Sequence, residues 1–338
     1  MAAASPGGAA VAEHIEDVSE KSLLIINPNS GTRQKDSLPE LLSEGLSARG
    51  IELEVAVTEK PGDAGCLATE AIGDGYSCII VAGGDGTVND VASAMCGTGV
   101  PMGILPCGSG NGLARSLAIP QDPRKAVGVI TAGHTIDIDC GEANSRRFFC
   151  TFGMGFDAAV TEKFSQEKKR GKMSYVKSAL IEFLNFTPNV YGISINGKII
   201  TERAMVVAVC NASQYGNNAY IAPSASLSDG MLDITVIHDG PLIQQALAGI
   251  QLMSGRIDRN ILCNTFRADR LEISRLDDGP AHIDGELFNP GRIVSVGCRP
   301  KCLRVIASQD IEKPFRPISD PLRLFLQDLG SDIRQAFG

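Results

Sequence analysis

An acid-bearing glycine turn is the strongest chemical signal in this sequence. The run GGDGT, from Gly83 to Thr87, follows the apolar segment CIIVA and precedes VNDVA, so it lies between a predicted strand and a predicted helix. Glycines let the backbone approach a ligand closely, and the first turn of a helix offers unpaired N–H groups to anionic oxygens. A carboxylate such as Asp85 repels phosphate unless a divalent cation stands between them, or unless it accepts the proton of an attacking hydroxyl. The turn therefore indicates phosphoryl transfer.

Three other turns of small and flexible residues follow short apolar strands. The runs 22–26, 52–57 and 102–105 lead into NPNSG, TEKPG and PCGSGNG, respectively. Such alternation of strand, turn and helix-like segment is typical of a parallel sheet flanked by helices. Because parallel strands end at one edge of the sheet, all four turns meet there and one nucleotide can contact them all. We therefore predict an α/β nucleotide-binding domain over residues 21–141.

After residue 141, strand-like runs replace the strand–helix units. They cover 148–152, 190–195, 204–210, 232–237, 271–274 and 292–297, and helical spacing appears at 174–186 and 242–253. This pattern favours a second, largely antiparallel β domain over residues 142–309. We expect residues 1–20 to form a disordered tail. The segment 310–338 is predicted to dock on the first domain through an apolar stripe, which comprises Leu322, Phe325, Leu326, Leu329, Ile333 and Phe337.

The composition excludes several classes of protein. With 338 residues, 43% hydrophobic and 21% charged, the chain is long enough for two globular domains. A net charge of -8 without a sustained Lys/Arg stripe argues against nucleic acid as a partner. No apolar run reaches the roughly 18 residues that span a bilayer, and the first twelve residues lack the Lys and Arg of a targeting peptide. We expect a cytoplasmic protein whose membrane contact is peripheral.

The ten cysteines are scattered through the chain, many of them in predicted strands. Examples are Cys78, Cys150 and Cys210, and the nearest approach to a paired motif is Cys298 with Cys302. Zinc and redox sites normally show closer pairs. We predict reduced, mostly buried thiols, with neither a disulfide nor a cysteine-bound metal.

Taken together, the motifs resemble the diacylglycerol kinase catalytic superfamily, which also contains sphingosine and long-chain-base kinases and bacterial lipid kinases. The resemblance spans about residues 22–305. It is carried by Asn27 to Gly31, Thr58 with Pro61, Gly62 and Ala64, Gly83 to Asn89, Gly108 to Asn111, Gly155 to Ala158, Asp229 with Gly230, and Asp284 to Glu286.

The resemblance implies an N-terminal nucleotide domain, a C-terminal β-sandwich that helps hold a lipid, and a cleft between them. It also implies ATP and Mg²⁺ as cofactors. The expected nucleotide-binding residues are Asn27, Thr58, Gly83, Gly84, Asp85, Gly86, Thr87, Asn89, Gly108, Ser109, Asn111 and Lys169. Lys169 belongs to the basic run 168–172, for which a solvated helix face is the alternative to contact with phosphate or an anionic membrane.

Three acids are candidates for the group that accepts the hydroxyl proton: Asp85, Asp284 and Glu286. The sequence does not rank them. An ordinary hairpin turn is the alternative interpretation of the Asp284 to Glu286 segment, since Asp-Gly often marks hairpins.

The expected metal ligands form two groups. Asp85 belongs to the magnesium network, and Asp139 either joins it or is a satisfied turn acid. By the resemblance, Ser226, Asp229 and Met231 match a structural magnesium segment of some bacterial relatives, and a plain turn is the alternative interpretation of Asp229 with Gly230.

The identity of the acceptor lipid stays open at this point. Gly112 stands where many bacterial diacylglycerol kinases have an acid, which resembles the long-chain-base kinases, whereas Gly155 to Ala158 resembles the general bacterial form. Asp157 is the candidate substrate-binding residue, although the acid that recognises a sphingoid amino group would fall nearer Ala159. We expect an ATP-dependent lipid kinase acting on a primary hydroxyl of a sphingoid base or of diacylglycerol, with the sphingoid base slightly favoured. The alternatives are an NAD kinase-like enzyme and a non-catalytic lipid-binding module, and a homodimer is possible.

Overall fold

The first domain is a parallel sheet covered by helices. The computed structural model describes residues 20–31, 35–166 and 186–312. Its parallel strands are β1 (Glu20–Ile26), β2 (Ile51–Val57), β3 (Cys78–Gly83) and β4 (Met102–Pro106), in the order β2-β1-β3-β4. The helices are α1 (Leu38–Ser47), α2 (Asp63–Gly73), α3 (Asp85–Met95), α4 (Gly112–Ser116) and α5 (Pro123–Ala132). The predicted strands and the parallel α/β class are confirmed.

Burial explains why these strands read as continuous apolar runs. Central strand β3 is buried from Ile79 onward, and Leu24, Ile25 and Ile80 are fully buried. Helices cover both faces of a parallel sheet, so its strands need apolar side chains on both sides. Edge strand β2 instead exposes Val55 and Val57.

The second domain is antiparallel and sandwich-like. Its strands are β5 (Thr135–Ala143), β6 (Arg146–Phe148), β7 (Thr151–Gly155), β8 (Asn189–Ile195), β9 (Lys198–Cys210), β10 (Leu232–His238), β11 (Cys263–Ala268), β12 (Arg270–Arg275), β13 (Ala281–Ile283), β14 (Glu286–Phe288) and β15 (Ile293–Ile306). The helices are α6 (Phe156–Gln166) and α7 (Leu242–Met253), with short 3-10 helices at Ile257–Arg259 and Gln309–Glu312. Phe148, Phe152 and Tyr191 are the largest side chains of its core. The predicted antiparallel class and the helix at 242–253 are confirmed.

Two long strands connect the domains. β15 pairs antiparallel with β5 and β12, and its end pairs parallel with β4 through Val305 and Met102. β15 therefore extends well beyond the predicted run 292–297. The two domains share hydrogen-bonded strands, so the edge of the first domain has a defined position relative to the second.

The cysteine prediction was wrong in one respect. Cys96 and Cys302 form a disulfide with a Cα–Cα distance of 5.1 Å, and the Sγ atom of Cys140 lies 4.0 Å from that of Cys96. Cys96 follows α3 and Cys302 lies on β15, 206 residues later. Sequence spacing does not reveal this pair because only the crossing of β15 beside the end of α3 brings it together. Cys150 and Cys210 are free and buried, and Cys78 is free and half-buried.

Several predictions fall outside the described residues: the tail 1–20 apart from Glu20, Lys169 with its basic run, the helix 174–186 apart from Phe186, and the segment 313–338. In the part of the chain that the structure describes, no helix is both long and apolar enough to cross a bilayer.

Candidate active site

Asp85 joins two of the predicted nucleotide turns. It is the first residue of α3, and the preceding residue Gly84 is extended and makes no side-chain cap. The Oδ1 atom of Asp85 accepts a hydrogen bond from the N–H of Gly112 at 2.7 Å, and Oδ2 accepts one from the N–H of Asn111 at 2.9 Å. The acid of the GGDGT turn thus fixes the GSGNG loop beside the start of α3.

Glycine is required where these two loops touch. A Cβ atom on Gly108 would lie 2.7 Å from the Cα atom of Gly84, which no side chain can accept. Asn111, in the left-handed region at φ 52°, closes its own loop by accepting from the N–H of Gly108 and donating to its carbonyl oxygen. The two backbones therefore approach each other closely and leave their N–H groups near the N-terminus of α3.

The NPNSG turn meets the same edge. Asn27 Nδ2 donates to Thr87 Oγ1 at 2.8 Å, and the N–H of Thr58 donates to the carbonyl of Ile26 at 3.0 Å. Asn27, Thr58, Gly83, Gly84, Thr87 and Asn111 thus lie along one edge, as predicted, with Ser109 exposed at the tip of its loop.

Lys35 is a residue that the sequence interpretation missed. Its Nζ donates to the carbonyl of Asn27, and its side chain is buried. Burial lowers the pKa of this ammonium group, and Cys107 nearby opposes that shift. A lysine four residues after Gly31 belongs to no recognisable motif, so its proximity to the turn was the available signal.

Asp284 comes from the second domain and is saturated with hydrogen bonds. Its Oδ1 atom accepts from the N–H groups of Cys150 at 2.9 Å and Thr151 at 2.8 Å. Its Oδ2 atom accepts from the N–H of Phe149 at 2.9 Å and from Asn89 Nδ2 at 2.8 Å. A carboxylate offers about four acceptor positions, so all of them are used. Asp284 holds the β6–β7 connection against α3, and Asn89 is the α3 residue that donates to it.

Glu286 lies opposite the start of α3 and is bound differently. Its Oε1 atom would be 2.1 Å from a Cβ atom on Gly86, so the carboxylate lies against the backbone of Gly86 and a side chain there would displace it. Among the described residues, none donates a hydrogen bond to it. Partial burial raises the pKa of Glu286, and the charges of Asp90 and Asp284 raise it further.

The pKa of Asp85 is also raised. Burial is the main cause and the charge of Asp284 adds to it, while the N–H groups of Gly112 and Asn111 oppose it. Three carboxylates from two domains are therefore close together at the N-terminus of α3. Such an excess of negative charge is unfavourable by itself and suits a site that receives a cation or a proton.

Asp139 and the second group of predicted metal ligands lie elsewhere. Asp139 is fully buried and accepts hydrogen bonds from the N–H groups of Gly230 at 2.6 Å and Lys301 at 2.8 Å. None of its contacts within the described residues is with Asp85. Ser226, Asp229 and Met231 form the turn beside it, and the Asp229 carboxylate is paired with the guanidinium of Arg267. Arg267 thus supplies the positive charge that a cation would bring, so this donor set fits Mg²⁺ poorly.

Asp157, at the start of α6, belongs to a polar cluster of the second domain. Tyr215 donates its hydroxyl to Asp157 Oδ2 at 2.9 Å, and His282 Nε2 lies 3.2 Å from the same oxygen. The Nδ1 atom of His282 is buried and has no hydrogen-bond partner within the described part of the chain. A Cβ atom on Gly112 would lie 3.1 Å from the carbonyl oxygen of Tyr215, so the cluster adjoins the nucleotide loop.

Tyr215 and His282 were missed at the sequence level. His282 stands two positions before Asp284, on the strand β13 that leads into the Asp-Gly-Glu turn, and this proximity was the available signal. Tyr215 gave none, because its loop reaches Asp157 only in the folded chain.

Comparisons with known proteins agree with this architecture. Residues 21–143 match the family described as "Diacylglycerol kinase catalytic domain", and residues 150–307 match "YegS C-terminal NAD kinase beta sandwich-like domain". The chain is 32% identical over 222 residues to a protein called "Probable lipid kinase YegS" from Escherichia fergusonii, covering 64% of this chain and 73% of that one.

A second relative and a solved structure extend the likeness. The chain is 27% identical over 274 residues to a "Diacylglycerol kinase" of Staphylococcus carnosus, covering 79% of this chain and 89% of that one. A crystal structure described as a diacylglycerol kinase from Bacillus anthracis has the same fold, with a TM-score of 0.66 and 20% identity over 86% of this chain and 98% of that chain. The chain belongs to the diacylglycerol kinase catalytic family. It is a lipid kinase, and membership of this family implies ATP as the phosphoryl donor.

Proposed function

We propose that this enzyme transfers the terminal phosphoryl group of ATP to a primary hydroxyl of a membrane lipid, with diacylglycerol as the first candidate acceptor. The observation that carries the proposal is that Glu286 of the second domain lies against Gly86 at the N-terminus of α3, next in sequence to Asp85 of the first domain. The relatives described above bear the names diacylglycerol kinase and lipid kinase, which supports this acceptor class.

The donor side of the proposed reaction lies on the backbone at the start of α3 and at Ser109 and Gly110 of the GSGNG loop, because the N–H groups of Gly108, Asn111 and Gly112 are already bound to Asn111 and Asp85. Close contact between Gly84 and Gly108 leaves no side chain between these two backbones. Unpaired N–H groups and the positive end of a helix dipole suit the oxygens of a triphosphate. Asn27, Thr58 and Ser109 would line the nucleotide, and the ammonium group of Lys35 would contribute positive charge at the NPNSG turn.

Asp85 is the proposed ligand of Mg²⁺. Within the described residues its carboxylate accepts the N–H groups of Gly112 and Asn111 and its own N–H, which leaves one of about four acceptor positions, whereas Asp284 uses all of its positions. Mg²⁺ is commonly held by one or two carboxylates together with phosphate oxygens and water. When bound, it would offset the charge of the phosphates.

Glu286 is the proposed acceptor of the hydroxyl proton. Its carboxylate carries no hydrogen bond from the described residues and faces Gly86, and its raised pKa makes it a stronger base than an ordinary glutamate. Asp284 is a positioning residue: its four hydrogen bonds hold the turn that carries Glu286 against α3.

Asp157, with Tyr215 and His282, is the proposed contact for the polar head of the acceptor. This cluster adjoins Gly112 and hence the end of the triphosphate. A sphingoid base is the second candidate, because Gly112 lacks the acid of many bacterial relatives and Asp157 offers a carboxylate to an amino group. None of the relatives named above is called a sphingoid kinase, so diacylglycerol now precedes it.

The test is transfer of radiolabelled phosphate from ATP to diacylglycerol, sphinganine and NAD, each with and without Mg²⁺. We expect Mg²⁺-dependent labelling of diacylglycerol. Labelling of sphinganine alone would reverse the order of the two lipids, and labelling of NAD alone would refute the lipid acceptor.

Because the acceptor is a membrane lipid, we also propose a cytoplasmic enzyme that binds membranes peripherally. Dimerisation stays a prediction.

A further inference from the structure

The outer face of α7 is unusually apolar for a protein surface. Helix α7, LIQQALAGIQLM, has no charged residue in its twelve positions. Ile243, Leu247 and Ile250 repeat at helical spacing on its outer side. Together with two neighbouring apolar side chains they form a patch whose members are 41 to 78% exposed. This α7 patch consists of Leu242, Ile243, Leu247, Ile250 and Ile261. Single exposed apolar residues are common, but a contiguous group usually marks an interaction surface.

The opposite side of α7 faces the acceptor region. Ala248 is buried, and Leu252 packs on an apolar cluster of β9 and the following loop. The same cluster contacts Tyr215, whose hydroxyl binds Asp157. The members of the cluster are Met205, Val206, Ala208, Cys210, Ile221 and Ala222. One side of α7 therefore packs on apolar side chains that reach Tyr215, which binds Asp157, the proposed contact for the polar head of the acceptor. The other side carries the α7 patch.

Charge distinguishes between possible partners. Arg256 and Arg259 follow the C-terminal end of α7, and neither forms a salt bridge or a side-chain hydrogen bond with the described residues. Asp239 at the other end is paired with Arg203, which leaves Asp258 as an acidic neighbour. Guanidinium groups beside an uncharged apolar helix suit the boundary between acyl chains and anionic head groups. Since the chain carries a net charge of -8, an anionic membrane would repel most of its surface. Binding to such a membrane therefore requires basic side chains next to the apolar patch of the protein.

We infer that the α7 patch docks on an anionic phospholipid bilayer and brings the acceptor region to the membrane surface. The inference rests on the proposed function, because a lipid kinase must reach a substrate that resides in a bilayer. Ile243 and Ile250 enter the boundary of the acyl chains, and Arg256 and Arg259 contact lipid phosphates.

The test compares two double variants of the full chain in sedimentation with vesicles of phosphatidylglycerol and phosphatidylcholine. Ile243→Gln with Ile250→Gln removes the centre of the α7 patch, where the two side chains are 78% and 64% exposed. The matched control is Ile199→Gln with Leu276→Gln, which changes side chains that are 74% and 75% exposed outside the patch. All four positions are on the surface, so both variants should fold, and their melting temperatures check this.

We expect the patch variant to lose vesicle binding by roughly tenfold or more, because two large apolar side chains no longer leave water. The control should bind like the unchanged protein, and raising the salt concentration should weaken binding. Equal vesicle binding by the patch variant and the unchanged protein would overturn the inference. So would a change from dimer to monomer with vesicle binding intact, which would make the patch a contact between copies of the chain.

Kinase assays separate this inference from the proposed function. With short-chain diacylglycerol dispersed in solution, the patch variant should turn over like the unchanged protein, while its activity on long-chain diacylglycerol in vesicles should fall with binding. If no lipid is phosphorylated by any form, the proposed function fails, yet sedimentation still decides whether the α7 patch binds membranes.

Discussion

Two regions of this molecule use a buried aspartate in the same way and differ in what surrounds it. Asp284 joins the β6–β7 connection to α3, and Asp139 joins the Gly230 turn to Lys301 of β15. In both, backbone N–H groups from distant segments converge on one carboxylate. Around Asp139, the nearby Asp229 is balanced by Arg267. Around Asp284, Asp85 and Glu286 are further acids whose pKa values are raised. The charges around each aspartate therefore distinguish the structural acid from the proposed active site.

Replacing Asp85 should have the largest effect on turnover. Asp85→Asn removes the charge proposed to hold Mg²⁺, and one of the N–H groups of Asn111 and Gly112 then faces an amide nitrogen. We expect kcat for diacylglycerol to fall about 10³-fold. Steady-state phosphoryl transfer measures this, and Asp139→Asn is the matched control. Equal losses in the two variants would contradict the distinction between the regions.

Replacing Glu286 should have the next largest effect and a distinct pH dependence. Glu286→Gln should lower kcat about 10²-fold. In the unchanged enzyme, kcat/KM should fall as pH decreases through the raised pKa of Glu286, because the protonated acid cannot accept the hydroxyl proton. The acidic limb should disappear in Glu286→Gln. A limb that persists unchanged would assign the proton to another acid.

Although Glu286→Gln should lower turnover, we expect it not to lower the stability of the folded protein. Because its pKa is raised in the folded state, ionisation of Glu286 opposes folding. This penalty is absent below the unfolded pKa and develops as pH rises through the folded pKa. Glu286→Gln should therefore melt at the same temperature or higher at neutral pH, which calorimetry measures. A clear loss of stability would contradict the conclusion that the charge of Glu286 opposes folding.

Asp139→Asn should act on stability alone. Replacing one oxygen with an amide nitrogen leaves the N–H of Gly230 or of Lys301 without an acceptor, at a cost of about 1–3 kcal/mol of unfolding free energy. Urea denaturation measures the loss, and turnover of the folded protein should be unchanged. Loss of turnover in the folded protein would bring Asp139 into the catalytic machinery, as the sequence had allowed.

Reducing the Cys96–Cys302 disulfide should likewise leave turnover nearly unchanged and act on stability. This bond connects the end of α3, which starts at Asp85, to β15 next to Lys301, so it links the two regions compared above. Reduction should lower the melting temperature because it releases a long loop in the unfolded chain. Cys302→Ser should melt like the reduced protein. A large fall in kcat on reduction would show that the two regions are coupled.

Local patterns predicted much of the fold and the edge where the site forms. The strands β1 to β4, the helix α7 and the turns at Asn27, Gly83 and Gly108 follow from apolar runs and glycine positions that act over a few residues. The ranking of the acids could not be predicted. Asp284 and Glu286 are two positions apart, yet the donors to Asp284 come from residues 133 to 135 positions away and from Asn89.

The sequence by itself determined the α/β and antiparallel classes, the family and the presence of an acid among flexible turns, because periodicity and short motifs are local properties. Only the tertiary structure decided which carboxylates are saturated, that Tyr215 and His282 meet Asp157, and that Cys96 reaches Cys302. These features depend on contacts between segments that are distant in sequence. The pairing of β5 with β15 determines how close the segments lie, and burial shifts the pKa values of their carboxylates.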